Sequence, residues 1–208
     1  MTSPIRAIVP SPSADYYEDH AEAFFAETVN VDMTPLYDCF LSHVPAGGVV
    51  LDAGCGAARD ALAFRRLGYQ VEAFDASPAL AALAEAHLGQ PVAVLRFEDL
   101  DRRGCFDGIW ACASLLHVQL AGLPDVLARL AAALKPGGVL YVSFKYGRGE
   151  REHGGRRFTD LDEAGFAELL RMVPALVQLE TWVTADRRPD RGDRWLNVLL
   201  TTKPAASQ

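Results

Sequence analysis

Short apolar runs alternate with segments of helical periodicity through the middle of the chain. The apolar runs predict strands over residues 49–52, 70–75, 92–97, 106–113 and 139–144. The segments between them predict helices over residues 59–67, 78–87 and 124–134. Strands that alternate with helices are typical of a parallel sheet with crossover connections. The pattern therefore predicts an α/β fold.

The first 44 residues carry a different pattern. Residues 1–13 contain three prolines and no period, so they predict a loose arm. Residues 14–28 place apolar side chains at helical spacing and predict one amphipathic helix. A second helix is predicted to begin after a cap at Asp32. We interpret this part as an N-terminal arm and helical cap on one structural domain, whose main part is residues 45–208.

After the fifth predicted strand the chain becomes polar and rich in arginine. Residues 145–160 predict a long loop, and long loops in compact domains are usually functional or disordered. A helix over residues 161–172 and a strand over residues 176–184 follow. A second arginine-rich loop then leads to a final predicted strand over residues 194–202.

A glycine turn follows the first predicted strand in the segment LDAGCGAARD, residues 51–60. It fits a dinucleotide fingerprint poorly, because Arg59 occupies the last position and Asp52 would repel a pyrophosphate. The same acid would favour the sulfonium and ammonium groups of S-adenosylmethionine. The amides around Gly54 and Gly56 would let the methionyl part approach the backbone. The turn therefore favours a positively charged nucleotide.

Asp75 ends the second predicted strand, 21 residues after Gly54. An acid about 20 residues after the glycines binds the ribose hydroxyls in nucleotide-binding folds. The alternative, that Asp75 only caps the helix that starts near Pro78, stays open.

Four segments, LDAGCGAARD, VEAFDAS, FEDLDRRGCFDGIW and LKPGGVLYVSF, share one order and spacing with a known family. Over residues 45–145 the chain resembles the class I S-adenosylmethionine-dependent methyltransferases, and more loosely the thiopurine and tellurite-resistance types. The family motif D-x-G-x-G-x-G has a glycine where this chain has Ala58, and alanine is tolerable there if it has a negative φ.

The resemblance implies a Rossmann-like, seven-stranded, mostly parallel sheet with helices on both faces. The implied strand order is 3-2-1-4-5-7-6, with the last strand antiparallel and an N-terminal helical cap over the cofactor. It also implies that Glu98 or Asp99 receives the adenine amino group. The predicted cofactor-binding residues are Tyr17, Asp52, Ala53, Gly54, Cys55, Gly56, Asp75, Ala76, Ser77, Glu98, Asp99, Leu100, Ala113 and Ser114.

His117, just after the fourth predicted strand, is the candidate general base or acceptor-orienting group. A histidine that merely packs in a short helix is the alternative. The predicted acceptor-binding residues are Tyr16, His117, Lys145, Arg156 and Arg157. Arginines crowd both late loops, which predicts an acceptor with an anionic group. Solvated surface pairs with nearby acids would explain the same arginines.

Charge and composition limit the classes of partner that this protein is expected to bind. The net charge of -7 argues against nucleic acid as a partner, so no DNA binding is expected. No apolar run approaches the roughly 20 residues of a membrane span, and the four cysteines lack metal-site spacing. These features predict a cytoplasmic protein without a membrane or metal partner, as a monomer or homodimer.

Together the patterns predict an enzyme that transfers a methyl group from S-adenosylmethionine to a small molecule and leaves S-adenosylhomocysteine. An RNA or protein methyltransferase is the alternative among enzymes. A non-catalytic S-adenosylmethionine-binding regulatory module is the alternative from another class.

Overall fold

The structure is a computed structural model that describes residues 12–188 and 191–203. The strands are β1 (Val49–Ala53), β2 (Gln70–Asp75), β3 (Ala93–Val94), β4 (Phe106–Ala111), β5 (Leu134–Lys145), β6 (Gly149–His153), β7 (Arg156–Asp160), β8 (Leu176–Ala185) and β9 (Arg194–Thr202). The α-helices are α1 (Pro12–Asp19), α2 (Ala21–Thr28), α3 (Thr34–Leu41), α4 (Arg59–Arg66), α5 (Pro78–Leu88), α6 (Leu123–Ala133) and α7 (Glu163–Arg171).

The main sheet has seven strands in the order β3-β2-β1-β4-β5-β9-β8. The five strands from β3 to β5 pair in parallel, and β9 is antiparallel to both of its neighbours. This arrangement is the predicted order 3-2-1-4-5-7-6 with the last strand antiparallel. The prediction of fold class and strand order is confirmed.

Alternation along the strands divides the core between the two faces of the sheet. Val50, Trp110 and Tyr141 pack with α3 and with Phe64 of α4 on one face. On the other face Leu51 and its neighbours pack with the apolar sides of α6 and α7. The sheet is therefore covered by helices on both faces, and its strand ends remain free to form a site.

Three strand boundaries differ from the sequence prediction for local reasons. The third strand is shortened to β3 because residues Phe97–Asp99 form a 3₁₀ turn after it. The fourth ends at Ala111 rather than at 113, and Ala113 has a positive φ of 52°. The fifth begins at Leu134, which pairs with Phe106 ahead of a register shift.

Within the described residues the cap contains three helices where the sequence predicted two, because the helix predicted over residues 14–28 is divided into α1 and α2. The chain breaks between α1 and α2 at His20, which has φ -122° and ψ 19°. The His20 ring stacks on Tyr16, and its Nδ1 lies 2.9 Å from the Tyr16 carbonyl oxygen. Pro12 and Ser13 belong to α1, and the predicted arm over residues 1–11 lies outside the described residues.

The predicted loop over residues 145–160 is wrong, because β6 and β7 form an antiparallel hairpin within it. Gly154 and Gly155 connect the strands with φ values of 56° and 73°. Two consecutive residues with positive φ fit a tight hairpin turn, and glycine adopts them without steric cost. The Gly-Gly pair between two polar strands was the available signal.

Within residues 12–188 and 191–203, every helix is too short or too polar to cross a membrane.

Gly108 of β4 lies where the cap helix α3 packs on the sheet. A methyl group at this position would lie 2.7 Å from Phe40 Cζ and 2.8 Å from Val44 Cγ2. We expect Gly108→Ala to lower the free energy of unfolding by about 1–3 kcal/mol in urea titrations, as overpacked cores do. Gly122→Ala is the matched control, since its nearest neighbour would be Val118 Cγ1 at 3.5 Å. Equal urea midpoints of unfolding for the two variants would contradict the close packing at Gly108.

Candidate active site

Two connected hollows open at the carboxyl ends of the parallel strands. The inner cavity has a volume of about 120 Å³. Its walls are Ser13, Ala14, Tyr17, Phe24, Gly54, Gly56, Phe74, Asp75, Ala76, Ser77, Leu80, Leu95, Arg96, Phe97, Glu98, Ala113, Ser114, His117 and Val118. The outer cleft, of about 720 Å³, lies between the cap helices, the β6–β7 hairpin and the start of β9.

The glycine turn forms the floor of the inner cavity. Gly54 and Gly56 have φ values of 73° and 52°, which favour glycine. A side chain on Gly54 would come within 2.6 Å of Ser114 Cβ. Ala58 has φ 53°, so the condition of a negative φ is not met. This alanine holds a left-handed conformation that favours glycine, at some conformational cost.

Asp75 stands at the end of β2 with its carboxylate fixed by the backbone. Its Oδ2 accepts from the Gly56 amide at 2.9 Å, and its Oδ1 accepts from the Ser77 amide at 3.0 Å. Burial raises the pKa of Asp75, although these amides act in the opposite direction. The helix cap of α5 is Ser77, whose hydroxyl accepts from Leu80 N, so Asp75 does not serve as that cap. Each oxygen keeps a lone pair for a ligand in the cavity.

Asp52 lies beneath the turn and not on its surface, with 2% of its area exposed. Its Oδ2 accepts from the Ala61 amide at 3.0 Å, in the first turn of α4. Burial and the neighbouring charge of Asp60 raise the pKa of Asp52 well above its ordinary value. The expectation that Asp52 meets a cationic ligand directly is corrected: it supports the turn from below.

Nine of the predicted cofactor residues line the inner cavity: Tyr17, Gly54, Gly56, Asp75, Ala76, Ser77, Glu98, Ala113 and Ser114. Cys55 lines the outer cleft. Ala53, Asp99 and Leu100 line neither. The Ala53 carbonyl accepts from the Ser114 hydroxyl at 2.8 Å, and the amides of Asp99 and Leu100 close the 3₁₀ turn.

Sequence reasoning missed the apolar walls of the inner cavity. Phe74, Leu80, Leu95 and Phe97 line this cavity together with Glu98. Phe97 packs edge-on against Phe74 at 5.2 Å between ring centroids. An aromatic residue directly before the acid of the FEDL segment was the available signal.

Tyr17 and His117 stand where the inner cavity meets the outer cleft, and both hollows include them. The Tyr17 hydroxyl lies 2.9 Å from His117 Nε2. His117 Nδ1 lies 2.8 Å from the Arg157 carbonyl oxygen, which can only accept a hydrogen bond. His117 is therefore the Nδ1–H tautomer, and its Nε2 accepts from Tyr17.

The surroundings keep this pair uncharged. Burial lowers the pKa of His117 to about 4, and the charges of Arg156 and Lys145 act in the same direction. Burial also raises the pKa of Tyr17, against the effect of Arg156. His117 is thus a neutral imidazole at neutral pH, held in one orientation by two hydrogen bonds.

Helix α1 closes the inner cavity through three anchors. Glu18 accepts from the Ser77 hydroxyl at 2.7 Å and from the Ala79 amide at 2.9 Å, at the N-terminus of α5. The Ser13 hydroxyl accepts from the Arg157 amide at 3.1 Å. Tyr17 supplies the third anchor through His117. These contacts join residues that are far apart in the chain, so the sequence alone could not indicate Glu18 or Ser13.

The predicted acceptor residues divide into two groups. Tyr16, His117, Lys145 and Arg156 line the outer cleft. Arg157 lines neither hollow, because neighbouring residues of β7 point to opposite sides. Its guanidinium lies 3.4 Å from the exposed Glu152. Arg157 contributes its backbone, through the carbonyl that orients His117.

Most arginines of the two late segments form pairs with nearby acids. Arg148 pairs with Asp162, and Arg151 pairs with Asp160. The remaining pairs join Arg187 to Asp32, Arg188 to Asp186 and Glu27, and Arg191 to Glu27. For these arginines the surface-pair interpretation accounts for the geometry.

Residues 50–138 match a family model described as a methyltransferase domain. A ubiquinone biosynthesis O-methyltransferase of Xanthomonas axonopodis pv. citri is 37% identical over 109 residues, which are 48% of this chain and 44% of that protein. A protein of the same name from Nitrobacter winogradskyi is 42% identical over 47% of this chain and 39% of its own length. The chain spans less than half the length of these curated relatives.

A solved structure extends the similarity over nearly the whole chain. The 1,6-didemethyltoxoflavin-N1-methyltransferase of Burkholderia thailandensis, with bound 1,6-didemethyltoxoflavin and S-adenosylhomocysteine, has a TM-score of 0.74 and 26% identity. The alignment covers 97% of this chain and 94% of that one. The predicted resemblance to class I S-adenosylmethionine-dependent methyltransferases is confirmed.

The unusual acidity of the His117 imidazolium can be measured directly. Its ring signals should titrate near pH 4 in NMR spectra. Removal of the Tyr17 donor in Tyr17→Phe should raise that midpoint, because the neutral Nε2 loses a hydrogen bond. Tyr16→Phe, which leaves the pair intact, should not. A midpoint near the ordinary 6.5 in the unmodified protein would refute the buried geometry.

The same shift has a consequence for stability. The folded pKa lies below 6.5, so the unfolded chain binds more protons between about pH 6.5 and 4. His117 should therefore contribute a loss of unfolding free energy as the pH falls through this window, up to about 3 kcal/mol. The difference in unfolding free energy between the unmodified protein and His117→Gln, measured across this pH range, separates the contribution of His117 from that of the carboxylates.

Proposed function

We propose that this chain, whose residues 50–138 match the methyltransferase domain model, transfers a methyl group from S-adenosylmethionine to a small-molecule acceptor. The product of the cofactor is S-adenosylhomocysteine. The observation that carries the proposal is the junction of the two hollows. A cavity with a fixed carboxylate and apolar walls meets a larger cleft at Tyr17 and His117.

The residues present fit the cofactor. Asp75 offers two fixed carboxylate oxygens for the ribose hydroxyls, and the apolar walls around Phe97 suit the adenine ring. Glu98, rather than Asp99, lines the cavity and can accept from the adenine amino group. The glycine turn, with no side chain at Gly54 or Gly56, lets the methionyl part lie against the backbone.

The bound cofactor supplies an electrophilic methyl group on a sulfonium sulfur. The chain itself has to hold the acceptor in line with that group, and orientation alone can supply much of the rate. When the acceptor carries a proton, His117 Nε2 is the base that the geometry supports, reached directly or through the Tyr17 hydroxyl. The Arg157 carbonyl then keeps Nδ1–H in place and stabilises the imidazolium that forms.

The acceptor atom is left open by the proteins that this chain resembles. The curated relatives are named O-methyltransferases, and the Burkholderia protein is an N1-methyltransferase. Within the proposal, oxygen, nitrogen and softer sulfur, selenium or tellurium acceptors all belong in the first screen.

Two alternatives remain predictions to exclude. An RNA or protein methyltransferase is disfavoured because the arginines of the late segments are mostly paired with acids. A non-catalytic S-adenosylmethionine-binding module is tested by turnover, since it would bind the cofactor and methylate no acceptor. The cytoplasmic location and the state of monomer or homodimer also stay predictions.

Calorimetric titration with S-adenosylhomocysteine, S-adenosylmethionine and NAD tests the cofactor. We expect the two sulfur compounds to bind and NAD not to bind. Asp75→Ala should weaken the binding of S-adenosylhomocysteine at least about tenfold, because two hydrogen bonds to the ribose are lost. Asp99→Ala is the control, since Asp99 is exposed and lies outside the cavity. Failure of both sulfur compounds to bind would sink the proposed function.

Turnover of an acceptor panel tests the role of His117. With acceptors that must lose a proton, His117→Gln should lower kcat by roughly 10²–10⁴-fold, the usual contribution of a general base. Acceptors that are already ionised, such as thiolates, should be much less affected. The measurement is S-adenosylhomocysteine formation, with His43→Gln as the control, since His43 is exposed and lines neither cavity nor cleft. A uniform loss across both acceptor classes would assign His117 a structural role instead.

A further inference from the structure

The cationic side chains around the outer cleft are matched by acids, with one exception. Arg59 pairs with Asp60 and Lys145 pairs with Asp193. The arginines at 151, 187, 188 and 191 each have a carboxylate within 4.0 Å as well. Among residues 12–188 and 191–203, Arg156 is the cleft arginine without such a partner.

Aromatic rings hold Arg156 in place instead of an acid. Its guanidinium carbon lies 4.5 Å from the ring centroid of Tyr16, 5.3 Å from that of Phe158 and 5.9 Å from that of Tyr17. Rings at these distances attract a cation and restrict its orientation. They cannot accept its N–H groups in the strong, planar way that a carboxylate can.

One donor of this guanidinium is buried without an acceptor. Arg156 Nε has no hydrogen-bond partner within the described part of the chain. Buried donors in native proteins nearly always have a partner, so an unmatched one indicates a place for a bound ligand or an ordered water. The acids of the cleft cannot fill this place easily, because Glu27, Asp186 and Asp193 already bind other cations.

The position of Arg156 places this unmatched cation beside the reaction site. It belongs to β7, whose next residue, Arg157, orients His117 through its carbonyl. Its charge acts on both members of the junction, because it lowers the pKa of Tyr17 and of His117. A group bound by Arg156 would therefore belong to a molecule whose other end reaches the junction.

We propose that Arg156 binds an oxyanion of the acceptor, a carboxylate or a phosphate, and that the acceptor is a small planar acid. The inference rests on the proposed function and names the substrate class of that site. The planar guanidinium favours a bidentate oxyanion. The rings of Tyr16 and Phe158, which hold the guanidinium, also offer flat walls to an aromatic or heteroaromatic acceptor.

Binding of matched probes to the protein saturated with S-adenosylhomocysteine tests the proposal. The probes are benzoate, phenyl phosphate and the neutral benzamide, followed by ligand-observed NMR. We expect at least one oxyanion probe to bind about tenfold or more tightly than benzamide. Arg156→Ala should abolish this preference. Arg156→Gln, which keeps N–H donors but loses the charge, should abolish most of it.

Arg157→Ala is the matched control. Arg157 is the adjacent arginine on the same strand, and its side chain points away from both hollows, so the preference should survive its loss. Thermal unfolding checks that all variants fold. A stronger signal for phenyl phosphate identifies a phosphate acceptor, and a stronger signal for benzoate identifies a carboxylate; either supports the proposal.

Three results would overturn the inference. They are equal binding of benzamide and the oxyanions, absence of binding by all three probes, and a preference that persists in Arg156→Ala. Calorimetry with S-adenosylhomocysteine on the same samples separates this failure from failure of the proposed function. If the cofactor product binds and the oxyanion preference is missing, only the substrate class is wrong.

Discussion

The site depends on the hydrogen bonds that the buried carboxylate of Asp60 accepts. This carboxylate accepts four hydrogen bonds, from the Tyr37 hydroxyl at 2.5 Å, Arg59 Nε at 2.6 Å, Arg59 Nη2 at 2.9 Å and Trp110 Nε1 at 2.8 Å. Burial alone would raise the pKa of Asp60, but Arg59 and the other donors hold it below its ordinary value. A buried charge is tolerated when its lone pairs are filled in this way.

These hydrogen bonds connect parts of the chain whose relative positions form the two cavities. Tyr37 belongs to the cap helix α3, Arg59 begins α4 and Trp110 lies in the central strand β4. Arg59 also donates to the Thr28 carbonyl at 3.3 Å, at the end of α2. The cap is therefore fixed to the residues that follow the glycine turn. The left-handed turn at Ala58 immediately precedes this network, which can compensate the backbone strain there.

Local patterns made the core of the fold and the nucleotide cavity predictable from sequence. The glycine turn and Asp75 are separated by one strand-helix-strand unit, so their meeting follows from the parallel pairing of β1 and β2. Asp52 was misjudged because its surroundings, Asp60 and the Ala61 amide, become visible only when α4 folds back over the strand. The difference between Arg156 and Arg157 required the β6–β7 hairpin, since a loop gives no alternation to assign neighbouring side chains to opposite sides.

An oxyanion bound to Arg156 would remove one cause of the low basicity of His117. A neutral imidazole with a pKa of about 4 is a weak base, and burial is the first cause of its weakness. The positive charge of Arg156 adds to it. An acceptor oxyanion bound to Arg156 would neutralise that charge and favour protonation of Nε2. The acceptor would in this way strengthen the base that removes its own proton, whereas the empty site would keep His117 neutral beside a cationic cofactor.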